Sequence, residues 1–285
     1  MYKRQVPYGT WIIREIESPK GYVLSEEEIA VTIGKVDEVV EIELVNYFIK
    51  GNIALTKVDE DYPDNKLSGA VFEVYSDTNG DGKLDKDDTL LGEMKELDGG
   101  VYQMSELRFG KYLVKETKAP TGFVLDENVY SVSVEENGKT YTVENKAGVG
   151  FINAAQKGSL KIVKTSSDGK VEGFSFRVTG VDYDQTFKTD KNGEIVIEGL
   201  RIGDYTVSEV SNKASAGYIL PADKQATVKV DATAIVQMHN EFRDTPKTGD
   251  DFNLGLWVSL AALSVVGAGV LGFVGYKNRK KKKED

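Results

Sequence analysis

The stretch ELRFGKYLVKETKAPTGFVL (residues 106–125) lies in register on VPYGTWIIREIESPKGYVL (residues 6–24). Glu116 falls on Glu15, Pro120 on Pro19, Gly122 on Gly21 and Leu125 on Leu24, all without a gap. A third copy, GLRIGDYTVSEV (199–210), brings Glu209 into the same column. The similarity extends outward, DNKLSGAVFEV (64–74) matching DGKVEGFSFRV (168–178) and GNIALTKVD (51–59) matching GSLKIVKTS (158–166). Such self-similarity marks a repeated structural unit. One complete unit spans residues 51–157 and another 158–242, while residues 6–50 read as the second half of an earlier unit. The segment MYKRQ (1–5) lies outside the similarity and reads as an assembly artefact.

Within each unit the segments are short and alternate polar with apolar: IALTKVD, AVFEVYS, VYQMSEL, KYLVKET, VYSVSVE, TYTVEN. Rich in Val, Tyr, Thr and Phe and separated by Gly, Asp and Asn, they predict strands with one buried face. The expected class is all-β, with tandem β-sandwich units followed by one C-terminal transmembrane helix. The units abut at Lys50–Gly51 and Lys157–Gly158 without a Pro- or Ser-rich linker, which predicts a stiff rod.

The net charge of −10 includes a basic C-terminal cluster, so the rest of the chain is more acidic still. An acidic body is repelled by phosphate backbones, and nucleic acid is not an expected partner. With no cysteine and one histidine, His239, the chain has no disulfides, thiolate chemistry or Cys-type zinc sites. His239 reads as a strand residue.

Leu254 to Tyr276 is a run of 23 residues without a charge. At about 1.5 Å rise per residue it can cross a bilayer core. Trp257 and Tyr276 stand near its ends, and the basic tail 277–285 follows, predicted cytoplasmic by the positive-inside rule. Before the span, in the linker 243–253, stands TPKTG: Thr245, Pro246, Lys247, Thr248, Gly249. Pentapeptide, apolar span and basic tail in that order resemble a sortase sorting signal. The resemblance implies cleavage between Thr248 and Gly249 and transfer to a peptidoglycan precursor, with the membrane a partner only during biogenesis. Thr245 replaces the usual Leu, so the sortase class stays open.

Over residues 6–242 the pattern is similar to the Cna B-type, or SpaA-type pilin, domain of Gram-positive surface proteins. Its signature is a Lys in the first strand, a YxLxE-like strand followed by APxGY, and an Asn in the last strand. The resemblance implies a spontaneous Lys–Asn isopeptide bond assisted by the Glu. The triads it implies are Lys57, Glu116 and Asn153 in the middle unit and Lys164, Glu209 and Asn240 in the last. Glu15 and Asn46 form an incomplete set in the first. The last unit departs in its SNKASAGY segment, which is longer and lacks the Pro. The chemistry has its own physical basis. An amine attacks an amide only when unprotonated, and burial lowers a lysine pKa while raising that of a glutamate. Contact between the groups can lower the barrier by roughly 7–11 kcal/mol, so a single-use reaction without turnover needs no enzyme. The bland alternative is a solvated strand lysine and a turn-capping asparagine.

The segment DTNGDGKLDKDD (77–88) fits a twelve-residue EF-hand-type loop. Asp77, Asn79, Asp81, Asp85 and Asp88 offer side-chain oxygens and Lys83 its carbonyl, predicting a structural Ca2+ site between two strands. The leading functional expectation is a monomeric, wall-anchored stalk at the surface of a Gram-positive bacterium. The alternatives are spacer repeats of a surface enzyme whose catalytic domain lies upstream, and an adhesin with a host ligand bound by these or by upstream domains.

Overall fold

The computed structural model describes residues 6–243. The expectations for residues 1–5, the TPKTG motif, the span 254–276 and the tail 277–285 lie outside the described residues. Among the described residues the chain is all β and contains no helix.

The first two strands, β1 (Gly9–Arg14) and β2 (Glu28–Ile33), form an antiparallel ribbon. Residues 51–153 contribute most of two sheets. One contains β3 (Lys50–Asp59), β6 (Lys95–Asp98), β7 (Val101–Arg108), β10 (Thr140–Thr142) and β11 (Phe151–Asn153). Its path runs β10-β3-β7-β6, with β11 also pairing β3; β10 and β11 run parallel to β3 and β7 antiparallel to it. The other sheet has the order β5-β4-β8-β9, from β4 (Val71–Ser76), β5 (Thr89–Glu93), β8 (Gly110–Lys118) and β9 (Val129–Val134).

Residues 157–242 repeat this plan. One sheet runs β15-β12-β19-β17, from β12 (Lys157–Ser166), β15 (Glu194–Arg201), β17 (Tyr218–Ile219) and β19 (Thr233–Phe242). The second runs β14-β13-β16-β18, from β13 (Ser175–Gly180), β14 (Tyr183–Lys188), β16 (Gly203–Val210) and β18 (Lys224–Val228).

The two inner faces of each pair interdigitate. Phe72 from one sheet meets Tyr102 and Phe151 from the other edge-on, at ring separations of 5.1 and 5.0 Å. Each fully buried side chain of this size is worth about 1.5–3 kcal/mol in transfer from water. Phe174, Phe176, Tyr205 and Leu160 occupy the second core.

Residues 6–50 differ. The last strand of a unit was expected around Asn46, yet residues 34–47 contain no strand. In the next unit the corresponding strand, β11, exists by pairing with β3. Residues 6–50 hold no counterpart of β3, so the backbone near Asn46 has no ladder to join. For the same reason their one buried apolar side chain is Val31.

Candidate functional site

Strand alternation decides which side chains enter the core. In β3, Gly51, Ile53, Leu55 and Lys57 share the buried face; in β12, Gly158, Leu160, Ile162 and Lys164 do so. Each lysine therefore continues an apolar row instead of pointing to water. From the opposing sheet, Tyr112, Val114 and Glu116 face inward on β8, as do Tyr205, Val207 and Glu209 on β16. Lys57 and Glu116 are 0% exposed and Asn153 3%; Lys164, Glu209 and Asn240 are 1%, 8% and 0%.

The asparagines arrive in one register. Lys57 stands opposite Phe151 on the parallel neighbour, and Asn153 lies two residues further along the same face. Lys164 stands opposite Met238, with Asn240 again two residues further on. Asn153 Nδ2 donates to Glu116 Oε1 at 3.0 Å and Oε2 at 2.9 Å. Asn240 Nδ2 donates to Glu209 Oε1 at 2.8 Å. In residues 6–50, Asn46 Nδ2 reaches Glu15 Oε1 and Oε2 at 2.7 and 2.9 Å. All three Glu–Asn pairs are thus made.

The electrostatics follow from burial. The Lys57 amine is pushed down from 10.5 to about 8 by desolvation, against the pull of Glu116, Asp126 and Asp59. Its one hydrogen bond goes to the Phe151 carbonyl at 2.9 Å. The Lys164 amine is likewise lowered by burial, opposed by Glu209 and Asp168. It donates to the Thr165 carbonyl and lies 4.0 Å from the Phe174 ring centroid. Burial raises the carboxyls of Glu116 and Glu209 above the usual range. These shifts favour a neutral amine beside a neutral acid. Asn153 Oδ1 and Asn240 Oδ1 are buried without a hydrogen-bond partner. A buried carbonyl left unpaired costs about 1–3 kcal/mol.

Two supporting residues were not read from the sequence. Asp126 N donates to Glu116 Oε2 at 2.8 Å, as Ser25 N does to Glu15 Oε2 at 2.8 Å. The Asp126 carboxylate accepts from Tyr130 Oη at 2.6 Å and Asn145 Nδ2 at 2.8 Å. Asn145 in turn holds both backbone groups of Ile152, the residue before Asn153, at 2.7 and 2.9 Å. Asp126 follows the repeated GFVL and could have been found as the counterpart of Ser25. Asn145 has no such signal, because its role depends on a loop folding back on β11.

The 77–88 loop connects β4 to β5. Its carboxylates brace the loop's own backbone: Asp77 accepts from Gly80 N and Gly82 N at 2.7 and 3.1 Å, and Asp88 from Thr78 N and Asp85 N at 3.1 and 2.9 Å. Asn79, Asp81 and Asp85 close further turns onto Asp81 N, Lys83 N and Asp87 N. Gly80 and Gly82 take φ of 74° and 76°, the left-handed region that lets the chain double back. Among the described residues no group of three or more acidic or histidine side chains is gathered closely enough to hold a metal ion. His239 lies on β19, exposed, bonded to Thr165 Oγ1 at 2.8 Å.

The family described as SpaA, a prealbumin-like fold domain, matches residues 2–47, 51–147 and 158–242. None of the curated proteins compared with the chain matches it. Among solved structures, the Bacillus anthracis TIE protein is 25% identical with a TM-score of 0.63. That alignment covers 84% of this chain and 42% of the other, so the chain spans less than half of that structure. The minor pilin of Streptococcus agalactiae is 18% identical over 70% of this chain and 100% of its own, with a TM-score of 0.32. The shaft pilin SpaA of Lactobacillus rhamnosus GG is 14% identical over 68% and 98%, with a TM-score of 0.31.

Proposed function

The chain belongs to the family of SpaA prealbumin-like fold domains, and from that membership we propose that it is a structural stalk of a Gram-positive cell surface. In this reading each complete unit is closed by its own Lys–Asn isopeptide bond, and sortase attaches the chain to peptidoglycan through TPKTG. A surface role is in keeping with the pilins among the similar structures.

The neutral Lys57 Nζ attacks Asn153 Cγ. Glu116, whose carboxyl burial pushes above the usual range, gives a proton to Asn153 Oδ1 as the tetrahedral carbon forms, and takes up the proton that the attacking nitrogen sheds. A half-turn of the amide, which exchanges Oδ1 and Nδ2, sets the carbonyl oxygen against that proton. Glu116 then passes the proton it took up to Nδ2 and takes back the one on Oδ1, so that collapse restores the carbonyl, expels Nδ2 as ammonia and leaves an amide between the two side chains. One C–N bond forms, one breaks, and no oxidant or cofactor is needed. Lys164, Glu209 and Asn240 act in the same way. Each reaction occurs once and turns over no substrate.

The observation that carries this reading is the unpaired, fully desolvated asparagine carbonyl in both complete units, each on a buried glutamate. Intact mass of the recombinant chain tests it. A deficit of two ammonia molecules is expected, falling to one in Lys57→Ala and one in Lys164→Ala. A mass equal to that of the sequence would refute the cross-links.

The 77–88 loop binds calcium in this proposal. Its support is the donor chemistry: five oxygen-bearing side chains and one backbone carbonyl on a single twelve-residue loop suit a hard cation that takes six to eight oxygens. Binding requires several carboxylates to turn from backbone N–H groups toward the ion.

A further inference from the structure

The two boundaries between units are built alike. At the second, Gln156 N donates to Gly122 O at 2.8 Å and Ile202 N to Gln156 O at 3.1 Å. At the first, Ile49 N donates to Gly21 O at 2.9 Å and Phe109 N to Ile49 O at 2.9 Å. The isolated bridges Phe123–Ala155 and Tyr22–Phe48 correspond as well. The same repeated turn, LRIG (200–203) or LRFG (107–110), delivers an arginine to each boundary.

Arg201 spans its boundary. Nη1 donates to Asp59 Oδ2 at 2.6 Å, and Nη2 to Asp59 Oδ1 at 2.8 Å and Asp61 Oδ2 at 3.0 Å. Side-chain exposure is 14% for Arg201 and 3% for Asp59. The guanidinium also faces the Tyr62 ring at 4.9 Å, and Lys157 adds a contact to Asp61 at 3.2 Å. Burial raises the Asp59 carboxyl, but the Arg201 hydrogen bonds and charge, together with the backbone N–H groups of Asp61 and Tyr62, hold it below the usual range. A two-pronged, largely desolvated pair fixes distance and angle together. Both carboxylates come from the far end of β3 and the turn after it, in the first half of the preceding unit.

Arg108 has the same place without that partner. It is exposed and lies 4.0 Å over the Phe48 ring, itself stacked on Tyr22 at 4.7 Å. No carboxylate among the described residues pairs with it. Residues 6–50 correspond to β8 onward and include no equivalent of β3. They also leave their inner face bare. Trp11, at the place of the inward-facing Tyr112, is 40% exposed, against 6%. We propose that Arg108, Phe48 and the bare face of residues 6–50 form a docking surface for the first half of another unit of this kind, which presents paired aspartates at the end of its first strand. The occupant's apolar strands cover Trp11 while its aspartates clamp Arg108 as Asp59 and Asp61 clamp Arg201.

The test joins a second copy of residues 51–106 ahead of Val6 in the full chain and follows proteolysis at residues 47–51. The extension is expected to slow cleavage there by about tenfold or more, as closing a buried ion pair would. Arg108→Ala should cancel that protection in the extended chain and change the unextended one only by the loss of its contact with Phe48, a much smaller effect. Replacing the two aspartates of the added copy by alanine should give the same loss, with no further loss when combined with Arg108→Ala. An extended chain that folds but is indifferent to Arg108→Ala would overturn the proposal. A second measurement holds even if the extension does not fold. In the unextended chain, Arg201→Ala and the Asp59→Ala, Asp61→Ala pair should be strongly non-additive in protecting residues 155–158. Independent effects there would remove the precedent and overturn it too.

Discussion

At the scale of the residue, the chain places a cation where water cannot reach it. Holding a lysine at about 8 instead of 10.5 costs about 3 kcal/mol while it remains charged. The sign can be read in Asn153→Ala, which keeps Lys57 but cannot form its bond. Between pH 8 and 10.5 the unfolded chain of that variant binds a proton that the folded chain does not. Its stability should therefore rise with pH across that window and show the full penalty below it. Urea denaturation at a series of pH values measures this, and a flat profile would contradict it. Bond formation needs the neutral amine, so its rate should climb as pH approaches 8. Glu116→Gln removes the proton carrier while keeping the shape, and the middle unit should then retain its ammonia. Mass against time after refolding gives both results.

At the scale of the element, the first residue of each unit is a glycine because two parts of the fold close on it. A Cβ on Gly158 would lie 2.1 Å from Lys229 O and 2.9 Å from Ala232 O. One on Gly51 would meet Lys139 O and Val134 Cγ1, both at 2.8 Å. Forcing a methyl into such a site typically costs about 1–3 kcal/mol and can cost more. Gly158→Ala should lower the melting temperature of the last unit more than Gly51→Ala lowers that of the middle one, since its clash is closer. Scanning calorimetry distinguishes the two. The β4–β5 loop gives another element-scale expectation. Calcium should raise the melting temperature of the middle unit and leave the last unit unmoved, with Asp77→Ala abolishing the shift. Equal melting in calcium and in chelator would dismiss the site.

At the scale of the whole molecule, each cross-link would tie the first strand of a unit to its last. Lys57 to Asn153 closes a loop of nearly the full unit. By the chain-entropy account of cross-links, a loop near that length is worth about 4–5 kcal/mol against unfolding. Lys57→Ala should thus uncouple the units, the middle one melting well before the last, and Lys164→Ala should reverse their order. Two transitions that move together in both variants would mean that stability is not held unit by unit.

The sequence by itself determined the repeat, the all-β class and the columns that contain Lys57, Glu116 and Asn153. These are local matters of period and register: a lysine six residues after the opening glycine of a two-residue alternation must share a face with Ile53 and Leu55. It could not show that residues 34–47 lack a strand, because a strand at Asn46 depends on a partner far away in the chain. Nor could it single out Asn145, or the pairing of Arg201 with Asp59. Both residues of that pair stand in plain view in the aligned repeats, but 142 positions separate them. Only the stacking of one unit on the next brings guanidinium and carboxylates together, and only burial at that boundary makes their contact count.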